Sequence, residues 1–80
     1  MRLPRDVSGE DLARRLARVG YSIVRQTGSH MRLTTTWPAQ HHVTIPKHHA
    51  LRLGTLASIL DDVAGHLKMT RDELMERLFD

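Results

Sequence analysis

"YSIVRQTGSHMRLTTTWPAQHHVTIP", residues 21–46, is the stretch whose reading decides the fold. Three runs with strand character, "YSIVRQ", "SHMRLTTT" and "HHVTIP", are separated by Thr27-Gly28 and by the Pro38 turn. β-Branched runs bounded by Gly and Pro are the signature of short antiparallel strands. Thr27-Gly28 supplies a tight hairpin connection, with Gly28 free to take a positive φ. Side chains alternate across a strand, so His30, Arg32, Thr34 and Thr36 share one face and Met31, Leu33 and Thr35 the other. The apolar face must be the buried one, which turns His30 and Arg32 outward. In the third strand the same rule sends Val43 and Ile45 inward, and His42 and Thr44 outward.

The flanking segments supply the cover such a sheet needs. In "VSGEDLARRLARVGY", Ser8 is a good N-cap, and Asp11 three residues later makes a capping-box-like pair. Leu12, Leu16 and Val19 form one apolar stripe, with Arg14, Arg15 and Arg18 off it, and Gly20 closes the helix. After the third strand, "PKHHALRLGT" is expected to be a loop. A second helix is expected from about Leu56 to Ala64, with Thr55 as N-cap, an apolar stripe of Leu56, Ile59, Leu60 and Val63, and Gly65 as its stop. Gly54 and Thr55 would open that helix, where free N–H groups can hold a phosphate. Thr70 and Glu73 make the clearest capping box, with Met69 placed to staple onto Leu74, so a short third helix is expected over 71–79. The expected class is α+β: α-β-β-β-α, a three-stranded antiparallel sheet with helices on one face, plus a short C-terminal helix, in a single domain over 1–80.

Composition narrows the function. The 80 residues contain no cysteine, which leaves no disulfide or thiolate zinc site and fits a reducing cytoplasm. The opening "MRLPRDVSGE" has no apolar centre of the signal-peptide kind, so a soluble, intracellular protein is expected. Residues 1–52 carry nine Arg or Lys against three acids, and residues 53–80 three against six, so +6 and −3 make the formal net charge of +3. Ten of the twelve bases are Arg, the better partner for phosphate. A basic front and an acidic tail point to a polyanion on one side.

The chemistry-bearing residues are few. An imidazole can take a proton from a 2′-hydroxyl or give one to a leaving oxygen, and a guanidinium can neutralise a scissile phosphate. His30 and Arg32 on one open face fit that pairing. Neither His41-His42 nor His48-His49 makes a metal site, because adjacent strand residues face opposite ways and no carboxylate or Cys completes a set. No cofactor is expected. Backbone-contacting or solvated histidines are expected instead. Trp37, before Pro38, suits core capping and base stacking equally. Asp61, Asp62, Asp72, Glu73 and Glu76 are expected to be a solvated helix face.

Taken together, "ARVGY", "VRQTGSH", "VTIPKH" and "GTLASIL", in this order over roughly residues 3–64, resemble the HicA family of bacterial toxins. The resemblance implies a double-stranded-RNA-binding-like fold and an endoribonuclease that cleaves mRNA and is silenced by a HicB-type antitoxin. It places the catalytic histidine of "GSH" on His30 and the family's P-x-H histidine on His48. Ser29, Arg25, Arg32, Lys47 and His48 are the RNA-binding residues expected around it. Two departures stand out: the aromatic after the helix-ending glycine, often Trp, is Tyr21, and the basic-Pro pair before "GTL" is Arg52-Leu53. The competing classes are a noncatalytic RNA- or DNA-binding module, which would not need His30, and a protein-binding adaptor.

Overall fold

Ser8 starts the first helix by accepting the Asp11 N–H on its hydroxyl at 2.9 Å, and α1 runs Gly9–Leu16. The computed structural model describes residues 2–79; Met1 and Asp80, the ends of the expected 1–80 domain, lie outside the described residues. A 3₁₀ turn, Ala17–Val19, tightens the end of α1, and Gly20 closes it at φ 98°. The sheet follows as a meander of β1 (Ser22–Gln26), β2 (His30–Thr35) and β3 (His41–Pro46), antiparallel and in the order β1-β2-β3. Then come α2 (Leu53–Leu67) and α3 (Arg71–Phe79). This is the α-β-β-β-α order with an added helix.

Strand alternation holds. Met31, Leu33, Thr35, Val43 and Ile45 are buried, whereas His30, Arg32, His42 and Thr44 are exposed. The inner face meets Leu12 and Leu16 of α1 and Leu56, Leu60 and Val63 of α2 in one apolar cluster, with Leu74, Met75 and Leu78 of α3 joining it. Strand β1 departs from simple alternation. Its register skips one residue between Ile23 and Arg25, a bulge at Val24, and both Ile23 and Val24 are exposed. An edge strand kinked in this way is a poor template for a further strand.

Helix α2 differs from the expectation at both ends. It starts at Leu53, not Leu56, and its N-cap is Arg52, which makes no side-chain cap bond, so Thr55 lies inside the first turn. Gly65 does not stop it. The helix continues to Leu67, and Lys68 takes the left-handed conformation (φ 57°) while Met69 donates its N–H to the Ala64 carbonyl at 3.0 Å. Stopping at Gly65 would have lifted Leu67 off the core it packs against. Burial there outweighs the roughly 1 kcal/mol that a mid-helix glycine costs. Helix α3 has the expected capping box: Glu73 N–H to Thr70 Oγ1 at 3.1 Å, and Thr70 N–H to Glu73 Oε1 at 3.0 Å.

Two corrections concern charge. Asp11 does not return its carboxylate to Ser8 as a capping box would. It pairs with Arg14 at 2.7 Å and Arg15 at 3.0 Å instead. Arg15 and Arg18 both donate to the Leu78 carbonyl, at 2.8 and 3.0 Å, and the Arg15 guanidinium lies 4.6 Å from the centre of the Phe79 ring. Two of the nine bases of the basic front, Arg15 and Arg18, therefore serve the contact with α3.

Candidate active site

The site forms where the β1–β2 turn meets the loop after β3. Gly28 is free to take a positive φ but does not use that freedom. The turn is held by a side chain instead. Thr27 Oγ1 accepts the N–H of His30 at 3.1 Å and that of Ser29 at 3.3 Å, while the Thr27 N–H donates to the His30 carbonyl at 2.9 Å. Local hydroxyl-to-backbone bonds of this kind hold a turn without left-handed backbone. His30 is thus gripped at both its N–H and its carbonyl, at the first position of β2.

The loop after β3 is tied on both sides. The Lys47 N–H donates to the Ser29 carbonyl at 2.8 Å, the His48 carbonyl accepts the Gly9 N–H at 3.0 Å, and the Leu51 N–H donates to the Val7 carbonyl at 2.8 Å. Gly9 is buried against β3, and a Cβ there would overlap the Pro46 carbonyl oxygen. These contacts bring "GSH" and "P-K-H" side by side, although Ser29 and Pro46 lie 17 positions apart in the chain.

The imidazole of His30 is exposed, and its Nδ1 lies 2.9 Å from Ser29 Oγ. A hydroxyl both donates and accepts, so Ser29 can match either neutral tautomer and leaves Nε2 free for a substrate. One strand step further along the outer face, Arg32 sits opposite Arg25 on one side and Thr44 on the other. Like charges directly opposite each other on a sheet repel. Neither Arg25 nor Arg32 has an ion-pair partner among the described residues. A phosphate between the two would relieve that repulsion. The Ser29 and Lys47 backbones therefore meet at one end of the sheet, next to His30 and with His48 one residue further on, while Arg25 and Arg32 stand along the outer face. Among the described residues, no three His, Cys, Asp or Glu side chains gather as metal ligands.

A second polar group escaped the sequence reading. His41 is neither solvated nor backbone-bound: its Nδ1 lies 2.6 Å from the Tyr21 hydroxyl and its Nε2 3.1 Å from Asp62 Oδ1. An ionised carboxylate only accepts, so Nε2 carries a proton, and in the neutral ring Nδ1 accepts the Tyr21 O–H. The His66 ring stacks on His41 at 4.4 Å between centroids, and its Nε2 is buried with no hydrogen-bond partner among the described residues. Burial first, and the Asp62 charge second, push the Tyr21 phenol up to about 12. A buried phenol so reluctant to ionise ties β3 and α2 to the start of β1 and is no nucleophile. Asp62 and His66, four residues apart on α2, were the one local signal for this group. Tyr21 itself fills a core position, at 2% exposure.

The architecture is that of a small α+β protein, an open three-stranded antiparallel sheet flanked by helices. A family model for the HicA toxin of bacterial toxin–antitoxin systems matches residues 9–64, and the chain belongs to this family. No curated protein and no solved structure matches the chain closely enough to add to that assignment. Membership implies the toxin half of a toxin–antitoxin pairing. Among the described residues, no helix is long and apolar enough to cross a membrane.

Proposed function

We propose that this chain is a metal-independent endoribonuclease that cleaves mRNA in the cytoplasm, with His30 as its catalytic base. The observation that carries the reading is the exposed His30 imidazole, bonded through Nδ1 to Ser29 and set beside the unpaired Arg25 and Arg32 on an open face. In this mechanism Nε2 removes the proton of a ribose 2′-hydroxyl while Nδ1–H is donated to Ser29. The 2′-oxygen attacks the adjacent phosphorus, the P–O5′ bond breaks, and the leaving 5′-oxygen takes a proton from solvent. Arg25 and Arg32 stabilise the charge that builds on the phosphoryl oxygens. Lys47 and His48 hold the neighbouring backbone.

Such a surface is dangerous to its host unless it is covered. A HicB-type antitoxin with an acidic surface would compete with RNA for the same guanidinium and imidazole groups. Wild type and His30→Ala, induced side by side, provide the test. The substitution removes an exposed side chain and should change stability by under about 0.5 kcal/mol, yet abolish RNA cleavage and growth arrest. Cleavage by the wild type should survive a chelator. A folded His30→Ala protein that still cuts RNA refutes the assignment. A wild type that binds RNA and arrests growth without cutting RNA supports a noncatalytic module instead.

A further inference from the structure

The single tryptophan of this chain is not in its core. Trp37 is 70% exposed, the most exposed of the large apolar side chains among the described residues. That excludes core capping, one of the two roles its position allowed. Its backbone is nevertheless well held. The Trp37 N–H donates to Thr35 Oγ1 at 3.3 Å, and the same hydroxyl donates back to the Trp37 carbonyl at 3.3 Å, with Thr35 itself buried. The indole is therefore presented from a fixed point, not left on a loose loop.

Trp37 borders a groove between the far end of the sheet and the ends of α2 and α3. Val19, Leu67 and Met69 supply the apolar part of its lining, and Lys68 and Arg77 bring two cations against one acid, Glu73, beside Arg18, which is held by the Leu78 carbonyl. The Glu73 carboxylate is already engaged by the Thr70 N–H. An aromatic face, an apolar floor and an excess of positive charge make a slot for one nucleotide: a base on the indole, a phosphate against the cations.

The location links this groove to the proposed reaction. His30 opens β2 and Trp37 follows its end, so at about 3.3 Å per residue they lie roughly 20 Å apart, a span of several nucleotides. The outer face between them carries Arg32 and Thr34 on β2, flanked by Arg25, His42 and Thr44. No carboxylate interrupts that row. A single strand bound at His30 can run along β2 and reach the indole.

We propose that Trp37 and the adjoining Lys68 and Arg77 form a remote single-stranded-RNA subsite, in which one base stacks on the indole while the scissile phosphate lies at His30. The inference rests on the ribonuclease reading and adds to it. A remote contact of this kind holds a flexible strand in register at the distant reacting bond. It also makes long RNA a better substrate than a fragment too short to reach the groove.

The test uses the full chain carrying His30→Ala, so that RNA binds without being cut. Because Trp37 is the sole tryptophan, its fluorescence reports on this subsite directly. Unstructured RNA long enough to span both ends should quench it, and RNA too short to span them should not. Adding Trp37→Ala should weaken binding of the long RNA, followed by anisotropy of a labelled strand, by about 5- to 150-fold, the loss of one stacked base. Trp37→Phe should retain most of the affinity. Long RNA that binds with unchanged fluorescence and equal affinity for Trp37→Ala overturns the subsite and leaves the ribonuclease reading standing. If Trp37→Ala instead loses an antitoxin protein while binding RNA normally, the groove belongs to that protein and the inference fails. RNA that binds none of these variants overturns both readings.

Discussion

Replacing Tyr21 with Phe probes how the two layers are tied together. The substitution keeps the buried ring and removes only the hydroxyl 2.6 Å from His41 Nδ1. A net hydrogen bond is worth about 0.5–1.5 kcal/mol, and stranding its half-buried partner raises the cost to about 1–3 kcal/mol. Near neutral pH, urea unfolding should therefore find Tyr21→Phe less stable by that amount. Alkali separates this bond from simple packing. The phenol ionises at about 12 in the folded chain and at its ordinary 10.0 when unfolded. Its contribution is fully present below pH 10, where both states are neutral, and is lost as pH rises towards 12, because only the unfolded state then releases the proton. At about pH 11 the wild type should have lost about 1.4 kcal/mol relative to Tyr21→Phe, one pH unit beyond the unfolded value. The gap between the proteins should shrink accordingly and can change sign. As the only tyrosine in the chain, Tyr21 also gives an unambiguous phenolate absorbance titration, native against urea-unfolded. A stability gap that stays constant from neutral to alkaline pH would show that the hydroxyl is solvated and the proposed tie is not made.

Three other outcomes follow from the same geometry. Gly65→Ala, mid-helix with nothing within 4 Å of an added Cβ, should stabilise the protein by about 0.4–1 kcal/mol, whereas Gly9→Ala, driven against the Pro46 backbone and within 3.3 Å of Ile45 Cγ2, should destabilise it by about 1–3 kcal/mol; thermal melts of the two check the signs. For Asp11, burial raises the carboxyl but the bonds and charges of Arg15 and Arg14 together hold it below 3.8, so its contribution is complete above that value and lost as pH falls through the lower folded one. Acid unfolding of Asp11→Asn should accordingly be less steep than that of the wild type. Neutralising Arg32 or Lys47 in a His30→Ala background should weaken RNA binding across sequences and reduce the salt slope by about one each, read from affinity at several salt concentrations; an unchanged slope puts those side chains away from the RNA.

The sequence by itself determined what depends on neighbours along the chain. A period of two decided which side chains of β2 and β3 turn inward, Thr35 included, and so turned His30 and Arg32 to the open face. Ser8, Gly20 and the Thr70–Glu73 pair marked helix ends because a cap acts within three or four residues. Motif spacing was enough to suggest the family, whose model matches residues 9–64. Tertiary structure decided the rest, wherever a distant group outbid the local preference. Gly65 has the freedom to end a helix, but the core contact of Leu67 carries α2 past it. Gly28 has the freedom of a positive φ, but the Thr27 hydroxyl makes that unnecessary. Arg15 and Arg18 lie off the apolar stripe of α1, and only the approach of α3 turns them to the Leu78 carbonyl. The Tyr21–His41–Asp62 chain joins residues 20 and 21 positions apart, beyond the reach of any local pattern, because a hydrogen bond depends on distance in space and a sequence records only distance along the chain.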